Sequence, residues 1–290
     1  MSEFATLHPY DPAFVTAYVA AVKGEVAPAD LVPPAPAWAE QEINRARRGY
    51  ARALERQKDE AAVNAISLGL ARMLSVTQPV FFVPDMGFTQ IEARFDRGLG
   101  MLLRPPSRLF LDAGLETRVA RTMPIRLDAS GGSMGGAFLP PSLTGQFREL
   151  LEARMERLAR RMAEAEMDGP AYIGQLLDVA AYVADSGLGL YEATDVFVPG
   201  VLESQPPGIR LLQPDRKRLS KELRLRLEEA ARPPREPGLF ARLLGRGRPA
   251  PVRDEAAWDE PRIWRGINDV TPPPEQPSMD PASPEEEQLW

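Results

Sequence analysis

The 290-residue chain predicts an α+β fold. A small antiparallel sheet, drawn from about residues 79–128 with 194–201 as a further strand, is expected to be packed by a long N-terminal helix and two following helices. Three observations carry that expectation. Proline-free stretches rich in helix formers flank the middle of the chain, at 38–75 and 143–167. Between them, apolar and polar residues alternate over short runs broken by Gly and Pro, the pattern of half-buried strands. No helix-length segment separates those runs, which favours an antiparallel meander over a parallel, doubly wound sheet.

Taken in order, Asp11–Pro12 is a helix start, with Asp as N-cap and Pro at the first helical position, and the helix should run from there to Lys23 and stop at Gly24. Residues 27–36 form a proline-rich connection. From Trp38 to Ser75 one long helix is expected: Ile43, Ala46, Tyr50 and Ala53 make a narrow stripe that broadens through Ala62, Ile66, Leu70, Met73 and Leu74. Pro79–Val83 is a compact apolar run. Ile91, Ala93 and Phe95 alternate with Glu92, Arg94 and Asp96, followed by strand-length runs at Met101–Leu103, Arg108–Leu111 and Met123–Leu127.

Helix then returns at Leu143–Met167, opened by Ser142, with Phe147, Leu151, Met155, Leu158 and Met162 on one face. It stops at Asp168–Gly169–Pro170. A second, mostly apolar helix covers about Ala171–Ala184. Half of the 30 prolines lie in residues 205–290, where a charged helix at about Asp215–Ala231 interrupts them. The expected divisions are an N-terminal helix and proline-rich connection (1–36), an α+β core domain (37–204), a basic helical and proline-rich segment (205–250), and a disordered acidic tail (251–290).

Composition narrows the chemistry. No cysteine is present, which excludes disulfides, thiolate nucleophiles and Cys-ligated metals. The single histidine, His8, sits beside Pro9 near the N-terminus, where a solvated side chain with no catalytic task is expected. Ala61–Val76, the longest apolar-leaning stretch, is interrupted by Asn64 and Arg72 and is too short to span a bilayer. A cytoplasmic, soluble protein is expected, with neither cofactor nor metal.

Four features could carry function. The first is Asp128–Ala137, where Ser130, Gly131, Gly132, Ser133, Gly135 and Gly136 could turn backbone N–H groups toward an anion. It lacks the Walker lysine and the dinucleotide spacing, and a plain connector explains it better. The second is a set of carboxylates, Glu92, Asp96, Asp112 and Asp128, of which a facing pair could act as acid and base. A solvated sheet face with cross-strand ion pairs accounts for them without chemistry.

The third and fourth features lie at the C-terminal end, where charge changes sign. Residues 205–250 carry 12 Lys and Arg against 5 Asp and Glu, and residues 251–290 carry 3 against 10. In the basic block, Arg216, Lys217, Arg218, Lys221, Arg224 and Arg226 are interspersed with Glu222, Glu228 and Glu229 and have no stacking aromatic, which disfavours nucleic acid. Within 238–248, Leu239, Phe240, Leu243 and Leu244 share one helical face opposite Arg242 and Arg246, a pattern suited to a partner groove or a membrane surface. In the acidic block, Trp258, Trp264 and Trp290 lie among carboxylates, where composition alone predicts few aromatics. Trp supplies much of the energy at interfaces, and flanking acids steer it to basic surfaces.

The expected function is therefore a non-enzymatic interaction or scaffold protein. It would dock another protein, or its own basic segment, through the acidic Trp-containing tail. An enzyme or sensor binding a phosphorylated ligand at 130–136 is the alternative, and peripheral membrane attachment through 238–248 is a third reading.

Overall fold

The computed structural model describes residues 5–32, 36–56, 59–83, 95–123, 134–194, 196–197 and 207–232. Within them, one five-stranded sheet lies between two layers of helices. The strands are β1 (Ala5–Tyr10), β2 (Val80–Val83), β3 (Met134–Leu139), β4 (Gly189–Thr194) and β5 (Leu211–Leu212), in spatial order β3-β4-β1-β2-β5. All neighbours are antiparallel except β2 and β5.

The α+β class holds, but the sheet is drawn from different parts of the chain than expected. Of the strands expected within 79–128, the described residues contain only β2. Residues 101–103 and 108–111 are not strands: Pro106–Asp112 is a helix (α6), preceded by Arg97–Gly100 (α5) and followed by Thr117–Ala120 (α7). Pro106 takes the first position of α6, where its missing N–H costs no hydrogen bond. The expected strands over Ile91–Phe95 and Met123–Leu127 fall mostly outside the described residues, as does most of 194–201.

The first helical layer contains α1 (Pro12–Lys23), α2 (Pro28–Leu31), α3 (Ala37–Glu55) and α4 (Glu60–Thr77), with α6 and α7. Helix α1 has the expected ends: the Asp11 carboxylate accepts the Ala13 N–H at 2.9 Å, and Gly24 closes it with a φ of 87°. The single long helix expected over 38–75 is instead the antiparallel hairpin of α3 and α4. Asp59 restarts the chain, its carboxylate accepting the Ala62 N–H at 3.0 Å and pairing with Arg52 at 2.7 Å. A continuous helix could not bring both apolar stripes to one core, whereas the hairpin buries Ile43, Ala46, Ile66 and Leu70 together. Gly49 permits the close crossing, since a Cβ there would stand 2.5 Å from the Ala62 carbonyl oxygen.

The second layer contains α5, α8 (Pro141–Glu164), α9 (Gly169–Ser186) and α10 (Lys221–Ala230). Asp168 caps α9 by accepting the Ala171 N–H at 3.2 Å, and Gly187 ends it at a φ of 66°. Alternate residues of the sheet serve the two layers. Leu7, Phe81, Val83 and Leu190 face the second, and Tyr10, Val80, Tyr191 and Ala193 face the first. Gln175 joins α9 to the sheet edge: its amide donates to the carbonyl oxygens of Phe82 at 3.2 Å and Leu212 at 2.7 Å.

Strand β1 corrects the expectation for His8. This histidine is fully buried in the middle of the sheet, opposite Tyr191. Pro9 is tolerated because the β1–β2 ladder covers only Ala5–Leu7, so the proline lies beyond that side's pairing.

Candidate docking surface

Of the sequence-derived glycine-loop and docking residues, only Gly135 and Gly136 are among the described residues. Gly135 and Gly136 belong to β3, so the strand begins within the segment read as a glycine loop. Gly135 pairs with Ala193, and a Cβ on Gly136 would stand 3.0 Å from a carboxylate oxygen of Glu192. The glycine at 136 thus makes room for a buried acid. Ser130, Gly131, Gly132 and Ser133 lie outside the described residues. So do Leu239, Phe240, Leu243, Leu244, Trp258, Trp264 and Trp290, and the disorder expected of 251–290.

The two described carboxylates, Asp96 and Asp112, do not pair with each other. Asp96 is buried as the cap of α5, accepting the N–H groups of Gly98 at 2.9 Å and Leu99 at 3.1 Å and facing the Arg154 guanidinium. Asp112 ends α6 on the other side of the sheet and is paired at the surface with Arg108 at 3.0 Å. Glu92 and Asp128 lie outside the described residues. Among those residues, no group of three or more His, Asp and Glu side chains is placed to hold a metal ion.

The buried histidine is fixed by a short relay. The Thr6 hydroxyl donates to the Ala193 carbonyl at 3.2 Å, so it must accept from His8 Nε2 at 2.9 Å. Nε2 then carries the ring proton, and Nδ1 is left without a partner. Burial pushes the imidazole pKa down from 6.5 to about 3, and the ring is neutral at ordinary pH. Nearby, the Tyr18 and Tyr191 phenols donate to the carbonyls of Ile66 and Ser67 at 2.7 and 3.3 Å. Burial raises both phenol pKa values well above their usual range. Tyr191 thus ties the sheet to α4, and Tyr18 ties α1 to it.

The open feature is on the second layer. A surface groove of about 500 Å³ runs between α8 and α10, lined by Glu156, Arg160, Leu225, Arg226, Glu229 and Ala230. It depends on how α10 is seated. Ser220 starts that helix, its hydroxyl accepting the Leu223 N–H at 3.2 Å. Leu227 is wholly buried in the second core, and Leu223, one turn earlier, packs beside it. Leu219 lies against Gly174, where a Cβ would come within 3.1 Å of it.

Leu225 stands two residues before Leu227, roughly 200° around the helix, and so points outward. It is 51% exposed. This is the residue that sequence reasoning missed. Leu223, Leu225 and Leu227 alternate at a spacing of two, which no single helical face can bury. One leucine had to be left in solvent, and that mismatch was the available signal.

Charge around the groove is unevenly compensated. Arg226 pairs with Glu156 at 2.7 Å, and Arg232 with Glu229 at 2.6 Å, so both lining carboxylates are engaged. Farther along, Arg216 pairs with Asp168 at 2.8 Å and Arg218 with Asp178 at 3.7 Å. Burial raises the Asp178 pKa, opposed by Arg218. Much of the basic block's first half is therefore spent on the domain's own acids. Arg157 and Arg160 differ: both are exposed on α8, and neither has an ion-pair partner among the described residues. The groove thus joins an exposed leucine to one lining cation, Arg160, that has no ion-pair partner among the described residues. No described helix is long and apolar enough to cross a membrane. Comparison with protein-family models, curated proteins and solved structures found no match for this chain.

Proposed function

We propose that the protein is a non-enzymatic interaction protein that docks another protein through its C-terminal segment, using the basic stretch and the acidic, tryptophan-bearing tail. The observation that carries this reading is the exposed Leu225 beside Arg160, on the last described helix before the tail. An apolar side chain ringed by charged ones repeats, at the scale of one residue, the apolar core and polar rim of an interface. Trp258, Trp264 and Trp290 supply aromatic anchors of the kind that dominate binding energy.

The reading is tested by deleting residues 251–290 and identifying proteins retained by each form. Partners held by the full chain should be lost, while the thermal transition of the folded domain stays within about 2 °C, since the deletion removes none of the described core. Retention of every partner by the shortened protein overturns it. An anionic ligand at 130–136 is the competing idea, and it would approach the buried Glu192 against Gly136. Stabilisation by inorganic phosphate or a nucleotide, about 2.7 kcal/mol at a hundredfold excess over Kd, would favour that idea instead.

A further inference from the structure

We infer that the groove between α8 and α10 is the resting seat of the chain's own tail, with Trp258 as the anchor. This rests on the reading above that the tail is a docking element, and it names where the tail docks when no partner holds it.

Three observations converge. The last described residue is Arg232, immediately after the helix that forms one wall of the groove. Residues 233–253 separate that point from the acidic segment around Trp258. A chain of that length can reach up to about 70 Å, enough to turn back over a ten-residue helix. The effective concentration of such a tethered segment is in the millimolar range, so a weak site suffices.

Charge selects the occupant. Arg160 and its neighbour Arg157 are exposed cations of α8 without ion-pair partners among the described residues, and Asp254, Glu255, Asp259 and Glu260 flank Trp258 on both sides. The indole would cover Leu225 and Ala230 and offer its face to the Arg160 guanidinium. The nearer apolar stretch with Leu239 and Phe240 fits less well, because Arg242 and Arg246 would bring further positive charge to Arg160. A partner that binds the tail must then displace it from α10, which makes access to the tail and access to Leu225 mutually dependent.

The absence of cysteine allows a direct test in the full chain. Ala230→Cys with Ala257→Cys should form an intrachain disulfide under mild oxidation at least about tenfold faster than a control pair, Arg108→Cys with Ala257→Cys, in line with an elevated local concentration. Adding Leu225→Glu or Arg160→Glu to the first pair should return it to the control rate. Equal rates for the two pairs, or no slowing by either groove substitution, overturn the assignment. Disulfide-linked dimers instead of monomers also overturn it, by showing that the tail reaches a second copy. Failure here with partners still lost on tail deletion leaves the docking reading standing. Rapid cross-linking with partners retained on deletion keeps the seat and overturns the docking reading.

Discussion

The interior of the first helical layer and the outer surface around α10 use polar side chains in opposite ways. In the first, charged and hydroxyl groups are drawn inside: Glu42 is buried and accepts from Arg72 at 2.6 Å, and the buried phenols of Tyr18 on α1 and Tyr191 on β4 both donate to carbonyls of α4. Around α10 on the second layer, by contrast, the ion pairs Arg216–Asp168, Arg218–Asp178 and Arg226–Glu156 lie on the surface; that layer's own buried polar groups, Asp96 facing Arg154 and Gln175 at the sheet edge, belong to α5 and α9. Buried polar groups impose one geometry, because a displaced partner leaves an unsatisfied group. Surface pairs exchange with water at little cost. The first layer is therefore built to stay fixed, and the surface of the second can give up its contacts to a competitor.

The sharpest way to break this contrast is acid. His8 has its folded pKa lowered to about 3 from 6.5, so between those values the unfolded chain takes up a proton that the folded chain refuses. Stability from this group is fully present above pH 6.5 and is lost as pH falls toward 3. The loss should approach about 1.4 kcal/mol per pH unit. Urea unfolding across that range measures the total. Because His8 is the only histidine, its ring resonances can be followed without ambiguity, and they should report a neutral ring at about pH 5. An imidazolium in the folded protein at that pH would remove the basis of the comparison.

A smaller effect is expected from Glu42→Gln, which strands the Arg72 guanidinium while keeping the side-chain shape. The Glu42 side chain is 9% exposed and that of Arg72 23%, so the pair is sheltered without being dry. The loss should be about 2 kcal/mol, below the range for a fully buried pair. The double variant Glu42→Leu with Arg72→Met should cost less than the single one. If the single variant is neutral in chemical denaturation, the interior of the first layer is no more demanding than the surface around α10.

The smallest effect belongs to the groove. Arg226→Ala removes an exposed pair and should change stability by less than about 0.5 kcal/mol, with the difference shrinking further in salt. A loss several times larger would mean that the surface pairs clamp α10, and that the two regions differ less than their burial suggests.

Much of the helical framework could be read in advance. Helix α1 has Asp–Pro at one end and Gly at the other, and α8 and α9 have a strong apolar period with Asp168 between them. These signals are local, and nothing in the tertiary structure overrules them. The strands were harder because each hides its own marker. β1 contains the histidine and a proline, β3 contains two glycines, and β4 is buried on both faces, so it shows no alternation. The short apolar run around Leu109 could be strand or helix by pattern alone, and packing decided for helix, while the run at 101–103 became a turn. For the docking surface, the charges of α10 and of the turn before it were visible in the sequence, but which of them were already neutralised depended on Glu156 and Asp168, distant in the chain.

The position of β1 has a consequence for how the molecule is made. The hydrogen bond from Thr6 to Ala193 joins residues 187 apart in the chain, and β1 stands between β4 and β2 at the centre of the sheet. At a synthesis rate of about 5–20 residues per second, the strand waits roughly ten to forty seconds for β4 to be made. During that interval β2 and the α3–α4 hairpin can cover only one side of it. Final closure of the sheet is thus a late event in biosynthesis. A message truncated before Gly189 would release a chain whose central strand has an open edge, the kind of surface that chaperones and aggregation compete for.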